Sequence, residues 1–177
     1  RAVARRLGLA PSALYRYFPS RDSLLTALII EAYEELGARA DEADRAAAAG
    51  RAMDRWLAVC ARVRSWAVEN PRRWALLYGS PVPGYAAPET TVEPAMAVVR
   101  VVCRIVLAGG AQAGPALPPP PAGLDDAVAP IREALLPGRP PEVVVGSLMA
   151  WTSLVGSVSL DLFGHLIRVA GELTGTG

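Results

Sequence analysis

From Leu24 to Leu36 the apolar residues Leu24, Leu25, Leu28, Ile29, Ala32 and Leu36 fall three and four positions apart, the spacing of one helix face. The same period governs Met53, Trp56, Leu57, Cys60, Val63 and Ala67, and it returns through Met96, Val99, Cys103 and Val106. No segment alternates apolar and polar residues as a half-buried strand would. The chain is therefore expected to be all-α, and its 177 residues suffice for one sizeable core or two small ones.

Glycine and proline divide the pattern into elements. Arg1–Gly8 reads as a helix with Val3, Ala4 and Leu7 inward and Arg1, Arg5 and Arg6 outward. Gly8 ends it, Leu9-Ala10 turns, and Pro11 opens a second helix to Phe18 at the position where a missing N–H costs nothing. The pattern opens mid-helix at Arg1 with no cap and no initiator methionine, so residues before Arg1 are expected. Ser20 is a candidate N-cap for a long helix to about Arg45, with Asp22 complementing its dipole. A helix from about Arg51 to Glu69 follows. Asn70-Pro71 then signals the start of a short helix ending at Gly79.

Ser80 to Pro88 is a Pro/Gly loop. Thr90 or Thr91, with Glu93, has the spacing of a capping box for a central apolar helix to about Ala108. Residues 110–123 form a Pro-rich loop. Leu124–Leu136 is helical although Pro130 interrupts it, and a last apolar helix starts near Pro141, its far end blurred by Gly156, Gly164 and Gly171.

With 52% hydrophobic and 20% charged residues the chain is too apolar for disorder. Its longest apolar run reads as Val101–Gly110, which Arg104 breaks far short of the ~20 residues a bilayer needs. No membrane partner and no signal peptide are expected. Cys60 and Cys103 are too few for a disulfide framework, and the expected location is cytoplasmic. Net charge is only +1, but residues 1–21 carry Arg1, Arg5, Arg6, Arg16 and Arg21 without one acid. Asp22 to Asp44 is acidic, so one end of the molecule is built to meet a polyanion, or else presents a solvated basic face.

Chemistry of other kinds is not written in the chain. His165 is the one histidine and has no partner at metal-ligand spacing, so neither metal nor cofactor is expected. No phosphate loop or nucleophile elbow occurs, and Glu31, Glu34 and Glu35 read as a solvated helix face. An enzyme is not expected.

The two short N-terminal helices and their turn have the lengths of a helix-turn-helix, whose second helix enters a major groove about 12 Å wide. Leu14 and Phe18 share the inward face, leaving Ser12, Ala13, Tyr15, Arg16 and Tyr17 on or beside the open one. Small residues allow close approach to bases, and tyrosine and arginine suit phosphates and guanine edges.

At these residues, AVARRLGLAPSALYRYFPSRDSLLTAL from Ala2 to Leu28, the chain resembles the TetR family of bacterial regulators. The resemblance implies that Tyr15 and Arg21 contact phosphates, and that Arg1, Ser12, Ala13, Arg16 and Tyr17 face bases or backbone. Tyr17 stands where the family very often has histidine. It further implies a helix and a Ser or Thr phosphate contact before Arg1, so the head shown here is an incomplete domain, 1–22. Residues 23–177 would form the C-terminal effector-binding and dimerisation bundle. NPRRWALLYGSPVPGYAAPETT and WTSLVGSVSLDLFGHL resemble one C-terminal type, often called WHG.

That body suggests an effector pocket lined by Trp66, Tyr78, Met96, Cys103 and Trp151, with Trp56 and Trp74 as further aromatic candidates, although such residues are equally at home in a core. The scarcity of charge favours an apolar or neutral effector. Small residues on the last helix (Gly146, Ser147, Ala150, Ser153, Gly156 and Ser157) suit a homodimer interface. The function expected is a ligand-responsive repressor binding a palindromic double-stranded DNA operator. A helical protein–protein interaction module is the alternative.

Overall fold

The computed structural model describes residues 17–110 and 122–166, and every described element is helical. The reading helix up to Arg16 and nearly all of the Pro-rich loop lie outside the described residues. The elements are α1 (Arg21–Ala46), α2 (Ala52–Glu69), α3 (Pro71–Tyr78), a 3-10 turn (Glu89–Thr91), α4 (Val92–Ala108), α5 (Leu124–Leu135) and α6 (Pro141–Leu162).

Local chemistry explains most boundaries. Ser20 caps α1 as its position predicts: its hydroxyl accepts from the Ser23 N–H at 3.0 Å while the Ser23 hydroxyl accepts from the Ser20 N–H at 3.0 Å. Asp54 does the same work for α2, accepting from the Arg51 N–H at 3.1 Å. Pro71 opens α3, but Asn70 does not cap it. The Asn70 amide donates backward to the Trp66 carbonyl at 3.0 Å and closes the end of α2 instead. The Thr–Glu capping box expected before α4 does not form either. The Thr91 hydroxyl donates to the Pro88 carbonyl at 2.7 Å, which tightens the 3-10 turn, and Glu93 pairs with Arg100 at 2.6 Å. Pro130 sits inside α5 without ending it, and α6 runs through Gly156 before Gly164 leaves it at φ 79°.

Two apolar clusters share α4. The larger gathers Leu36, Val63, Trp66, Trp74, Val102 and Leu154 with their neighbours from α1, α2, α3, α4 and α6. The smaller joins Val99 and Cys103 of α4 to Val128, Leu136 and Val144. The apolar stripe of α2 is narrower than its period suggests. Val59, Val63, Trp66 and Ala67 are buried, whereas Met53 and Leu57 are 60% and 58% exposed, because a helix gripped from one side can bury only about a third of its circumference.

The helix α6 revises the reading of the longest apolar run. Between Glu142 and Asp161 no residue is charged, and by length and composition α6 is the one described helix that could cross a bilayer, with mean hydropathy 1.7. Serines and glycines interrupt this stretch, so it does not read as an unbroken aliphatic run. Here α6 serves as a bundle helix, inserting Val144, Ser147, Leu154 and Val158 against α2, α4 and α5.

The tightest crossing lies between α1 and α4. A Cβ placed on Gly37 would stand 2.4 Å from the Ala97 Cβ, so only glycine lets these helices meet so closely. Gly37→Ala should therefore destabilise the fold by about 1–2 kcal/mol, overpacking outweighing the roughly 1 kcal/mol gained in helix propensity. The urea midpoint measures this; a midpoint raised by the substitution would contradict the close crossing.

Candidate functional site

The described edge of the head begins at Tyr17, which is 78% exposed. Arg21 is the first residue of α1 and is also exposed, directly after the Ser20 cap. Its guanidinium thus stands at the positive end of a 26-residue helix dipole, where an anion is stabilised by both. Arg1, Ser12, Ala13, Tyr15 and Arg16 lie outside the described residues. Because α1 is one uninterrupted helix, whatever moves its body end is carried to Arg21 over roughly 39 Å.

Charged side chains fix α1 to the body near its far end and at its middle. Asp44, 1% exposed, accepts from Arg55 of α2 through Nε at 2.7 Å and Nη2 at 3.0 Å, and from Arg104 Nε of α4 at 2.7 Å. Burial would raise its pKa; the hydrogen bonds from Arg55 and Arg104 more than reverse this and hold the carboxyl below its ordinary range. Nearer the head, Arg73 of α3 forks onto Glu31 and Glu35. These glutamates are therefore not merely a solvated face. Burial raises the Glu35 pKa, but the Trp66 indole and the Arg73 guanidinium outweigh it and lower the carboxyl.

The five residues proposed to line a pocket are not brought to one wall. Trp66 is core at 2% exposure, and Cys103 at 4% belongs to the smaller cluster. Tyr78 packs against the larger cluster, with its ring 4.6 Å from Trp74 and edge-on to Tyr33 at 6.0 Å. Trp151 bridges both clusters. Among the described residues the indole N–H groups of Trp66 and Trp151 are buried and make no well-formed hydrogen bond, with Glu35 near the first and the Tyr78 hydroxyl near the second. Burial raises the Tyr78 pKa strongly and pushes the Cys60 thiol up to about 11, so Cys60 stays protonated at neutral pH.

Several concave spaces stand open among the described residues, and two of them carry aromatic side chains in their lining. A groove of about 690 Å³ lies between α2 and α6, floored by Trp56, Cys60, Leu154 and Val158, with the Arg64–Asp161 ion pair (2.8 Å) at its side. A second space of about 440 Å³ lies under the loop that follows α3. Ile29 and Tyr33 of α1, Leu77 of α3, Val82 and Tyr85 of the loop, and Met96 of α4 line it. Met96 alone among the five proposed residues faces it. The Tyr33 hydroxyl donates a long 3.5 Å bond to the Leu77 carbonyl, and Tyr85 shares a 2.9 Å hydrogen bond with Thr26 of α1. Neither Tyr33 nor Tyr85 stands out in the sequence: one lies on a helix whose inward stripe is otherwise aliphatic, the other inside a Pro/Gly loop. The signal available was Tyr33 four residues after Ile29, on the same inward face.

Comparison with known proteins places this arrangement. Residues 1–28 match the family described as bacterial regulatory proteins, tetR family, and residues 56–174 match the family described as tetracyclin repressor-like, C-terminal domain. The HTH-type transcriptional regulators Rv1816 of Mycobacterium tuberculosis and Mb1846 of Mycobacterium bovis are each 42% identical over 176 residues, covering 93% of this chain and 72% of theirs. A crystal structure of the regulatory protein SCO4313 superposes with a TM-score of 0.72 at 31% identity, over 93% of this chain and 73% of that one. A Rhodococcus sp. RHA1 protein of unknown function superposes at 0.50 and 28% identity, covering 88% of this chain and 84% of its own. The chain belongs to the TetR family of helix-turn-helix transcriptional regulators.

Proposed function

We propose that this regulator is a homodimeric, ligand-responsive repressor of a palindromic operator, with no enzymatic activity. The observation that carries the reading is continuity: the matched head runs through exposed Tyr17 and capped Arg21 into one rigid helix fixed to the body. In this reading residues 1–22 are the DNA-binding part. Tyr15 and Arg21 hold phosphates, and Arg1, Ser12, Ala13, Arg16 and Tyr17 meet bases or backbone. Residues 23–177 form the effector and dimerisation part, and work on chromosomal DNA makes the cytoplasm its place.

The dimer is supported by the outward face of α6. Gly146, Met149, Ser153, Ser157 and Leu160 are exposed at helical spacing, and a Cβ added at Gly146 or Gly156 would meet nothing within 4 Å. That is space for a partner helix to approach closely. The switch follows from α1 as a lever. With its far end held by Asp44 and its middle pressed on Ala97 at Gly37, a ligand that prefers a tilted α1 respaces the heads and weakens operator binding.

Selection from a random duplex library with the full-length protein tests this. Enrichment of a palindrome with half-site centres about 34 Å apart, or a multiple of it, is expected, since the symmetry of the site mirrors that of the dimer. Arg16→Ala or Tyr15→Ala should abolish that binding. Recovery of no sequence, with both variants unchanged, would instead favour a protein–protein interaction module.

A further inference from the structure

We infer that the space beneath the loop after α3 is the effector site, that its ligand is an uncharged, largely apolar molecule with one hydrogen-bonding end, and that the ligand reaches the head by opening the Tyr85–Thr26 hydrogen bond. This rests on the ligand-responsive reading above and adds to it a place, a chemistry and a latch.

The size is right: about 440 Å³ falls within the 300–1,000 Å³ typical of small-molecule sites. The lining decides the chemistry. Among the described residues no charged side chain borders the space, so an ionised ligand would lose its hydration with nothing there to replace it. An apolar body instead meets Ile29, Leu77, Val82 and Met96. Two phenol hydroxyls offer the polar contact. That of Tyr33 has only a long bond to surrender, and burial raises its pKa, so it stays a donor. The larger α2–α6 groove carries the Arg64–Asp161 pair on its wall and no side chain that ties it to the head-proximal part of α1.

The latch follows from where Tyr85 stands. Its ring lines the space and its hydroxyl holds Thr26, which lies about 7.5 Å along α1 from Arg21. Among the described residues this is the side-chain hydrogen bond between body and α1 nearest the head. A ligand that displaces Tyr85 frees that end of α1 while Arg73, the Gly37–Ala97 crossing and the Asp44 pairings still hold the rest. The helix then tilts rather than detaches.

Nile red, a neutral apolar dye with a carbonyl acceptor, is the probe, titrated by fluorescence into the full-length protein. Ala95→Trp, which fills the space from α4, is expected to weaken saturable binding at least tenfold, and Ala61→Trp, which fills the other groove from α2, to change it less than twofold. Saturating dye is expected to lower affinity for the selected palindrome about tenfold, within the usual range of allosteric coupling, and less than threefold in Tyr85→Phe and Thr26→Val. No saturable binding, or loss confined to Ala61→Trp, would overturn the site. A Tyr85→Phe protein that responds as the wild type does would overturn the latch. Failure of the wild-type protein to select any palindrome is a different result, and it strikes the regulator reading itself.

Discussion

Asp44→Ala is expected to cost about 3–5 kcal/mol, the usual result of removing one partner from a buried ion pair. The side chain is 1% exposed and ties three helices together, since α1 carries it while Arg55 comes from α2 and Arg104 from α4. Without it the Arg55 guanidinium, whose side chain is 13% exposed, keeps its charge and loses both oxygens. Asp44→Asn should be nearly as damaging, because it preserves shape but not charge. Arg104 suffers less, being 46% exposed and still bound to Asp41 at 2.5 Å. Urea unfolding checks this, with the midpoint falling and the slope unchanged.

The same residue predicts a pH dependence. Its folded-state pKa lies below the ordinary 3.8, so the unfolded chain binds the proton first as acid is added. The stability it contributes is complete above that value and is lost as pH falls below about 3.8 toward the folded-state pKa. Wild-type stability should therefore drop steeply below pH ~4, and Asp44→Asn should flatten that drop. A residual slope is expected from Glu35, whose carboxyl is also lowered. Identical acid profiles for the two proteins would contradict the assignment.

Trp74→Ala is expected to cost a similar 3–5 kcal/mol, for a different reason. The indole is fully buried, lies tilted with its ring 4.6 Å from that of Tyr78 and donates to the Ser159 hydroxyl of α6 at 3.1 Å. Truncation leaves a cavity at the meeting of α3 and α6 and strips a hydrogen-bond partner from Ser159. At a slope of about 2 kcal/mol/M the urea midpoint should fall by roughly 2 M. Trp74→Phe should recover most of the packing but not the hydrogen bond. A Trp74→Ala protein within about 1 kcal/mol of wild type would mean that α3 is not held where the structure has it.

What the sequence disclosed follows the range of the forces involved. The start of α1 was legible because Ser20, Ser23 and Asp22 act within one turn, and the apolar faces of α1 and α4 because burial repeats with helical period. The short-range signals that misled were those with a competing local partner. Asn70 had the Trp66 carbonyl behind it, and Thr91 had the Pro88 carbonyl. Long-range pairings left no trace in spacing. Arg104 lies 60 residues from Asp44, and Tyr85 lies 59 from Thr26. For the same reason the proposed pocket residues dispersed. Periodicity identifies that Trp66 and Cys103 face inward, but not whether inward means packed core or open space, and both met core.

The most direct measurement is the affinity of the full-length protein for its selected palindrome, followed by fluorescence anisotropy between about 50 and 200 mM salt. Specific binding should be at least about a thousandfold tighter than to a scrambled duplex. With some 6–10 phosphate contacts across the proposed dimer, log affinity should fall linearly with log salt, by roughly three to five decades over that range. Equal affinity for palindrome and scrambled duplex, or binding indifferent to salt, would contradict a DNA-reading head on this helical body.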